Sequence, residues 1–355
     1  MFSLSVCLIV KNEEKVLGRC LECCKKFADE IVVVDTGSTD STIKIAKQFT
    51  DKIFQYQWDD NFSNARNFSF SKATKDYIMW LDADDLATDN NIEKIKNLKK
   101  TSEPVDVFMC KYLMDFDEED HARFTFYRER ILKRSKNFKW EGFIHEVITP
   151  SGNIAYTDIE IEHRKPKDNI DSNRNIEIYK KALKNKKKFS AREQYYYARE
   201  LYYHQKHKQC IKEMKKYLHM GDTYKYNLIG ANSILAECFL ALSSQNEALS
   251  ACFAAIKISP TPEVCCLTAK CYEKVGDKEL AIFWYKSALE APQEKGGFIK
   301  EEYKKLTPCI ALTKLYFDKG EVNKSLHYHN LAATENPKHP AVVYNETFFK
   351  NYLKK

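Results

Sequence analysis

Only ten of the 355 residues are glycine and nine are proline. No GxGxxG or GxxxxGK[S/T] string occurs, so a dinucleotide fingerprint and a P-loop are both unsupported. Twelve cysteines are present, but Cys20-Leu-Glu-Cys23 has neither a second CxxC nor a paired histidine motif, which leaves no zinc framework. Many of the cysteines fall at apolar positions of helical segments, where Cys acts as a small hydrophobe, and the set reads as reduced, cytoplasmic thiols. No apolar run is long enough to span a bilayer: Leu4–Val10 is stopped by Lys11-Asn12-Glu13-Glu14, and the start lacks a signal peptide's basic residues. The net charge of +7 suits an anionic ligand. Its one clear basic run, Lys184 to Lys188, reads as a solvated helix end, so no nucleic-acid partner is expected.

What is present divides into two grammars. Residues 1–170 alternate apolar runs with helical stretches. Leu4–Val10, Ile31–Val34, 51–57 and 76–81 read as strands, and 13–28, 61–73 and a segment from Ser38 or Thr39 to about Phe49 as helices. That βαβαβαβ order predicts an α/β domain with a mostly parallel sheet covered by helices on both faces. In residues 171–355 the strand signals vanish and a repeat appears. Ala236, Ala248 and Ala255 recur as Ala269, Ala281 and Ala288 at a period of about 33 residues, with Pro260 answered by Pro292. Weaker echoes are Ala198, Cys210, Met214 and Tyr217 before, and Tyr316, Ser325, Ala332 and Pro337 after. Small residues at fixed helix positions with a terminal proline predict tetratricopeptide helix pairs, with 294–306 as an insertion rich in Lys and Glu.

The chemistry-bearing residues lie in the first half. Tyr77 to Leu81 leads directly into Asp82-Ala83-Asp84-Asp85. A strand that delivers carboxylates to its C-terminal end builds an oxygen-ligand site for Mg²⁺ or Mn²⁺, and ligands of open α/β sheets bind at that edge. Asp85 reads equally as a cap on the following helix. With Val10-Lys11-Asn12-Glu13-Glu14, Val34-Asp35-Thr36-Gly37-Ser38-Thr39-Asp40 and Trp58 to Asn67, this acidic run forms four blocks in series. In that order and spacing they resemble the family 2 glycosyltransferases of GT-A fold, over about the first 100 residues. Joined to tetratricopeptide units, the chain is similar to the sublancin-type peptide S-glycosyltransferases. It also resembles a wider set of repeat-bearing members.

The resemblance implies a nucleotide-sugar donor held by Val10, Asn12, Glu13, Asp35, Arg66 and Asp82. Asp84 would be the direct metal ligand of the DXD motif, and Asp82 would bind the ribose or a metal-bound water. Asp35 would meet the nucleobase, uracil if the donor is a UDP-hexose, although Thr36 replaces the family's usual second acid. Arg66 would reach the base or the diphosphate, or else lie on a helix surface. His163 resembles the late histidine that completes the metal shell, and its imidazole favours Mn²⁺; a half-buried structural histidine is the alternative. An inverting transferase also needs a base for the acceptor's proton; within a second cluster, Arg128-Glu129-Arg130 followed by Trp140 to Val147, Glu146 fits that role best, with His145 as the neighbouring choice and a strand edge with exposed polar residues as the alternative. Trp140 reads either as a sugar-stacking ring or as core.

The absence of a QxxRW motif argues against a processive synthase. The repeats would select a peptide or protein acceptor, or join two copies as a homodimer. Within the sublancin-type resemblance the acceptor atom is a cysteine sulfur. An envelope glycan acceptor is the alternative, and a repeat scaffold carrying a degenerate transferase domain is the rival from outside the enzymes.

Overall fold

The computed structural model describes residues 1–101, 104–165, 173–292 and 299–353. The chain divides into two compact units, 1–178 and 179–355. The boundary expected at 170 and part of the expected 294–306 insertion lie outside the described residues.

The first unit opens with β1 (Leu4–Val10), α1 (Leu17–Lys25), β2 (Glu30–Asp35), α2 (Thr42–Ala46), β3 (Ile53–Gln55), α3 (Phe62–Lys72) and β4 (Tyr77–Trp80). It continues with β5 (Asp85–Leu86), α4 (Asp89–Leu98), β6 (Val107–Phe116), β7 (Ala122–Lys133) and β8 (Ile154–His163). These eight strands form one sheet in the order β3-β2-β1-β4-β7-β6-β8-β5. The block β3-β2-β1-β4 is parallel, as the βα series requires. The rest is mixed. β7 runs antiparallel to both β4 and β6, β8 is parallel to β6, and β5 is antiparallel to β8.

Alternation along the strands sends side chains to two cores. Val6, Leu8 and Val33 pack with Leu17 and Leu21 of α1 and Ile95 of α4. Cys7, Val32, Val34 and Trp80 pack with Phe70 of α3 and with Trp140. Helices therefore cover both faces, and the C-terminal ends of β1, β2 and β4 are left open between them.

The second unit is helical. α5 (Arg174–Lys184) crosses the division, and α6 (Ala191–Tyr203), α7 (His207–Leu218), α8 (Lys225–Ala241) and α9 (Gln245–Ile256) follow. Then come α10 (Pro262–Val275), α11 (Lys278–Glu290), α12 (Leu306–Asp318), α13 (Val322–Glu335) and α14 (Pro340–Tyr352). They pack as successive pairs, α6 with α7, α8 with α9, α10 with α11 and α12 with α13. The repeat-position alanines 236, 248, 255, 269, 281 and 288 are all buried in these contacts. A small residue at such a position lets two backbones approach closely. Gly276, at φ +86°, ends α10 in the left-handed conformation that glycine adopts without strain. Among the described residues no helix is long and apolar enough to cross a membrane.

Candidate functional site

The loops after β1 and β2 are built as one piece. Val10 lies opposite Asp35 in register, and Thr36 gives both its N–H (2.9 Å) and its hydroxyl (3.1 Å) to the Val10 carbonyl. The residue standing where the family has a second acid is therefore buried and spent on the backbone. Asn12, at φ 57°, donates its N–H to Ser38 Oγ (2.9 Å) and accepts from the Thr39 N–H at Oδ1 (2.8 Å). Glu13 N–H donates to Thr42 Oγ1 at 2.7 Å. Ser38 and Thr39 thus fasten the two loops together and do not cap α2, which starts later, at Thr42. Asp35 is fully buried, and its carboxylate accepts the Gly37 (3.1 Å) and Ser38 (3.2 Å) N–H groups.

β4 hands its acids to a turn, and β5 then pairs with β8 so that Asp85 faces His163. His163 Nδ1 lies 3.2 Å from Asp84 Oδ1 and 3.1 Å from Asp85 Oδ1. Ligand atoms of Asp82, Asp85 and His163 lie within 4.8 Å of one another. Asp85 is not a helix cap: Thr88 caps α4, accepting from the Asn91 N–H. Its carboxylate is fully buried, paired with Arg130 Nη1 at 3.0 Å, and it accepts the Tyr112 hydroxyl at 2.7 Å. Arg130 in turn lies over the Trp80 and Tyr112 rings.

The block Trp58 to Asn67 becomes the start of α3, capped by Asn61 Oδ1 on the Asn64 N–H. This helix end holds the segment 140–147. Phe62 N–H donates to the Phe143 carbonyl (3.0 Å), Ser63 Oγ donates to the Gly142 carbonyl, and Asn67 exchanges two hydrogen bonds with the Trp140 backbone. Gly142 (φ +91°) and His145 (φ 52°) allow the tight reversal between Glu141 and Val147. The reversal brings Glu146 onto Arg66, whose Nε donates to Glu146 Oε1 at 2.6 Å while Nη2 donates to Asp82 Oδ1 at 2.6 Å. Trp80 and Trp140 flank the same guanidinium at 5.1 and 4.8 Å. Arg66 is therefore buried rather than on a helix surface, and Trp140, also buried, is a core ring.

Asp82, Asp84, Asp85, Arg66, Glu146 and His163 are thus linked by direct contacts at one sheet edge, with Glu13 beside them. Asp35 and Asn12 belong to the neighbouring double loop. His145 lies beside Glu146 in the reversal, at φ 52°. The sequence places Arg128-Glu129-Arg130 in the same chemical cluster as Trp140 to Val147 without a role for Arg130, and does not single out Tyr112. Arg128 and Arg130 are two residues apart on one strand, and both stand over Trp80, so the period-2 pattern was the available signal.

The electrostatics describe a crowd of anions. Burial and the neighbouring Asp84 and Asp82 push Glu13 up to about 7. Burial works against a charged His163, but hydrogen bonds to Asp84 and Asp85 outweigh it and raise the ring to about 10. Asp82 also resists burial, and Arg66, His163 and Arg130 hold it well below the carboxylate range. Carboxylates with one imidazole are a donor set for Mg²⁺ or Mn²⁺. A cluster that forces a glutamic acid to keep its proton and an imidazole to take one is a cluster that a cation would relieve.

Residues 5–158 match the family model described as Glycosyl transferase family 2. The first unit is a family 2 glycosyltransferase domain. The chain is 32% identical over 143 residues to the glycosyltransferase SunS of Bacillus subtilis, covering 39% of this chain and 33% of that protein. It is 45% identical over 85 residues to a TPR repeat-containing protein of Synechococcus elongatus (24% and 21%). It is 27% identical over 160 residues to the lipopolysaccharide core biosynthesis glycosyltransferase LpsC of Rhizobium meliloti (43% and 59%). The chain thus spans between a fifth and three-fifths of these relatives' lengths.

Proposed function

We propose that the chain is a metal-dependent, inverting glycosyltransferase that moves a hexose from a UDP-sugar to a peptide or protein acceptor. Its acceptor atom is a cysteine sulfur. The observation that carries this reading is the anionic cluster at the C-terminal edge of β4, where Asp82, Asp85 and His163 bring ligand atoms within 4.8 Å of one another, Asp84 lies 3.2 Å from His163, and Glu13 is pushed up to about 7. Asp84 and His163 would hold Mn²⁺ or Mg²⁺, with Asp82 beside them. When bound, such a cation supplies Lewis-acid stabilisation of a departing diphosphate.

The remaining work falls to the chain's own groups. Asp35 would accept the uracil imide hydrogen; its carboxylate is fully buried and already accepts the Gly37 and Ser38 N–H groups, so the base would meet it only after the loop over it opens. Arg66 joins the two halves of the reaction: one nitrogen donates to Asp82 on the donor side, another to Glu146, the base that takes the acceptor's proton. A cysteine thiolate needs less help from that base than a hydroxyl does, so Glu146 would matter less for it. Catalysis belongs to residues 1–170 and acceptor choice to the helical repeats. The resemblance to sublancin-type enzymes and the helical repeats support the peptide reading, and twelve free, buried cysteines support a reducing, cytoplasmic location.

UDP-sugar hydrolysis measured with and without Mn²⁺ tests the proposal. Turnover should require the ion and fall by about 10²-fold or more in Asp84→Ala; no turnover by the wild type, or no change in the variant, refutes it. The similarity to LpsC favours a second reading, in which an envelope oligosaccharide is the acceptor. Transfer to a cysteine peptide rather than to a lipid-linked glycan separates the two.

A further inference from the structure

The connection between α11 and α12 is longer than the repeat requires. Residues 219–224 and 257–261 link the earlier helix pairs, whereas 291–305 is more than twice as long as either. A long connection in a compact domain is uncommon unless it has a function. Its last part contains a single 3₁₀ turn, Glu301–Tyr303. Such a turn sets residues three apart on one side, and Lys300 and Tyr303 meet the helices together.

The helices they meet belong to one face of the stack. α6, α8 and α10 are the first members of three successive pairs and lie side by side. Lys300 Nζ is 2.5 Å from Glu263 Oε1 of α10 and 3.6 Å from Glu237 Oε1 of α8. The other Glu237 oxygen accepts the Tyr202 hydroxyl of α6. Three helices thus converge on one ammonium. Tyr303 is buried in the cluster that holds Cys266 and Ala269 of α10, and Lys270 Nζ reaches its hydroxyl at 3.5 Å. Packing explains the repeat alanines but not these charges: the residue 33 positions after Glu237 is Lys270, of opposite sign. One lysine between two acids leaves an excess of negative charge. Burial pushes the Glu263 carboxyl up even with Lys300 beside it, and Glu237 adds to the push.

We propose that this face of the repeats is a docking groove for a peptide that carries a lysine or arginine with an aromatic residue three places on, and that residues 300–303 occupy it as a strap which the peptide displaces. The strap's own side chains state what the groove takes. A long cationic side chain enters between Glu237 and Glu263, and a ring packs onto α10 beside Lys270. Being tethered, the strap competes at an effective concentration on the order of millimolar, so a peptide must match both features to replace it. That this peptide is the transferase's acceptor rests on the reading above; the docking itself does not.

The test uses the full chain and a synthetic heptapeptide, Ile-Lys-Glu-Glu-Tyr-Lys-Lys, which is the sequence of residues 299–305. Affinity is read by fluorescence anisotropy of the labelled peptide, and the strap by hydrogen–deuterium exchange, with melting temperature as a control. Saturating peptide should speed exchange at 300–304 and leave α8 and α10 protected. Lys300→Glu sets a third carboxylate against Glu237 and Glu263, so it should bind the peptide about tenfold more tightly than wild type. Adding Glu237→Gln and Glu263→Gln to that variant should reverse the gain. If Lys300→Glu lowers the melting temperature, Lys300→Met serves in its place, with a smaller gain expected. Unchanged exchange at 300–304 under saturating peptide overturns the strap, as does equal affinity in wild type and the Lys300 variants. No measurable binding by any of them overturns the groove. Donor, cation and turnover enter none of these readouts, so a failed transferase reading would leave the docking result standing.

Discussion

The two units bury different things. In the first, charged side chains gather under one edge of the sheet: Arg66 between Trp80 and Trp140, Arg130 against Asp85, Glu146 and Asp82 on either side of Arg66. In the second, one core cluster is made mostly of small, aliphatic and aromatic residues, Ala269, Ala281, Cys266, Leu312 and Tyr285 among them. Its half-buried charges fasten helices to their neighbours, as Lys300 does with Glu263 at 2.5 Å. Taking a charge out of water costs free energy unless a partner repays it. A cluster that keeps more acids than its arginines balance is poorly explained by stability alone. The repeat, by contrast, is explained by packing.

Substitutions can break this contrast from either side. Leu312, fully buried in the second unit, should cost about 2–5 kcal/mol as Leu312→Ala. The loss should appear in chemical denaturation of that unit and leave Mn²⁺ binding by the first unit unchanged. Arg66→Lys works in the opposite direction. A single ammonium cannot donate from two fixed nitrogens to Glu146 and Asp82 together, so kcat should fall by about 10²-fold with a smaller change in KM.

Glu30 separates scaffold from site within the first unit. Burial opposes its charge, but Lys52, Ser5 and Thr74 outweigh that and hold it down at about 2. A depressed folded-state pKa gives stability that is present above the unfolded value and is lost as pH falls through the folded one. Glu30→Gln should therefore be less stable than wild type at pH 7, by up to about 3 kcal/mol, and should converge with it near pH 2. Glu13 should show the opposite sign. Its pKa is raised to about 7, so its contribution is full below the ordinary carboxylate range and fades as pH rises toward 7. Glu13→Gln should flatten that slope in melting curves taken without metal, a small effect that saturating Mn²⁺ should shrink.

The sequence-legible parts were those with one period and one environment. β1, β2 and β4 are continuously apolar because both faces are covered, and the repeat alanines announce helix pairs by their spacing. β6 carries only the short apolar run Val107–Cys110 before its half-exposed outer part, and β7 mixes charged with aromatic residues along most of its length, so the antiparallel portion of the sheet was missed. The acids of the site could be read because they cluster in sequence. What each acid does depended on strands far away in the chain. Asp85 looked like a cap until β8 placed His163 opposite it and β6 and β7 brought Tyr112 and Arg130. Arg66 looked like either a ligand-binding or a surface residue until the loop around Gly142 carried Glu146 onto it.

The most direct test of a cation and nucleotide site at this edge is calorimetric titration of UDP into the full chain, with and without saturating Mn²⁺. The account predicts that the ion tightens UDP binding strongly in the wild type and has no effect in Asp84→Ala. Equal affinity with and without Mn²⁺ in the wild type would contradict it.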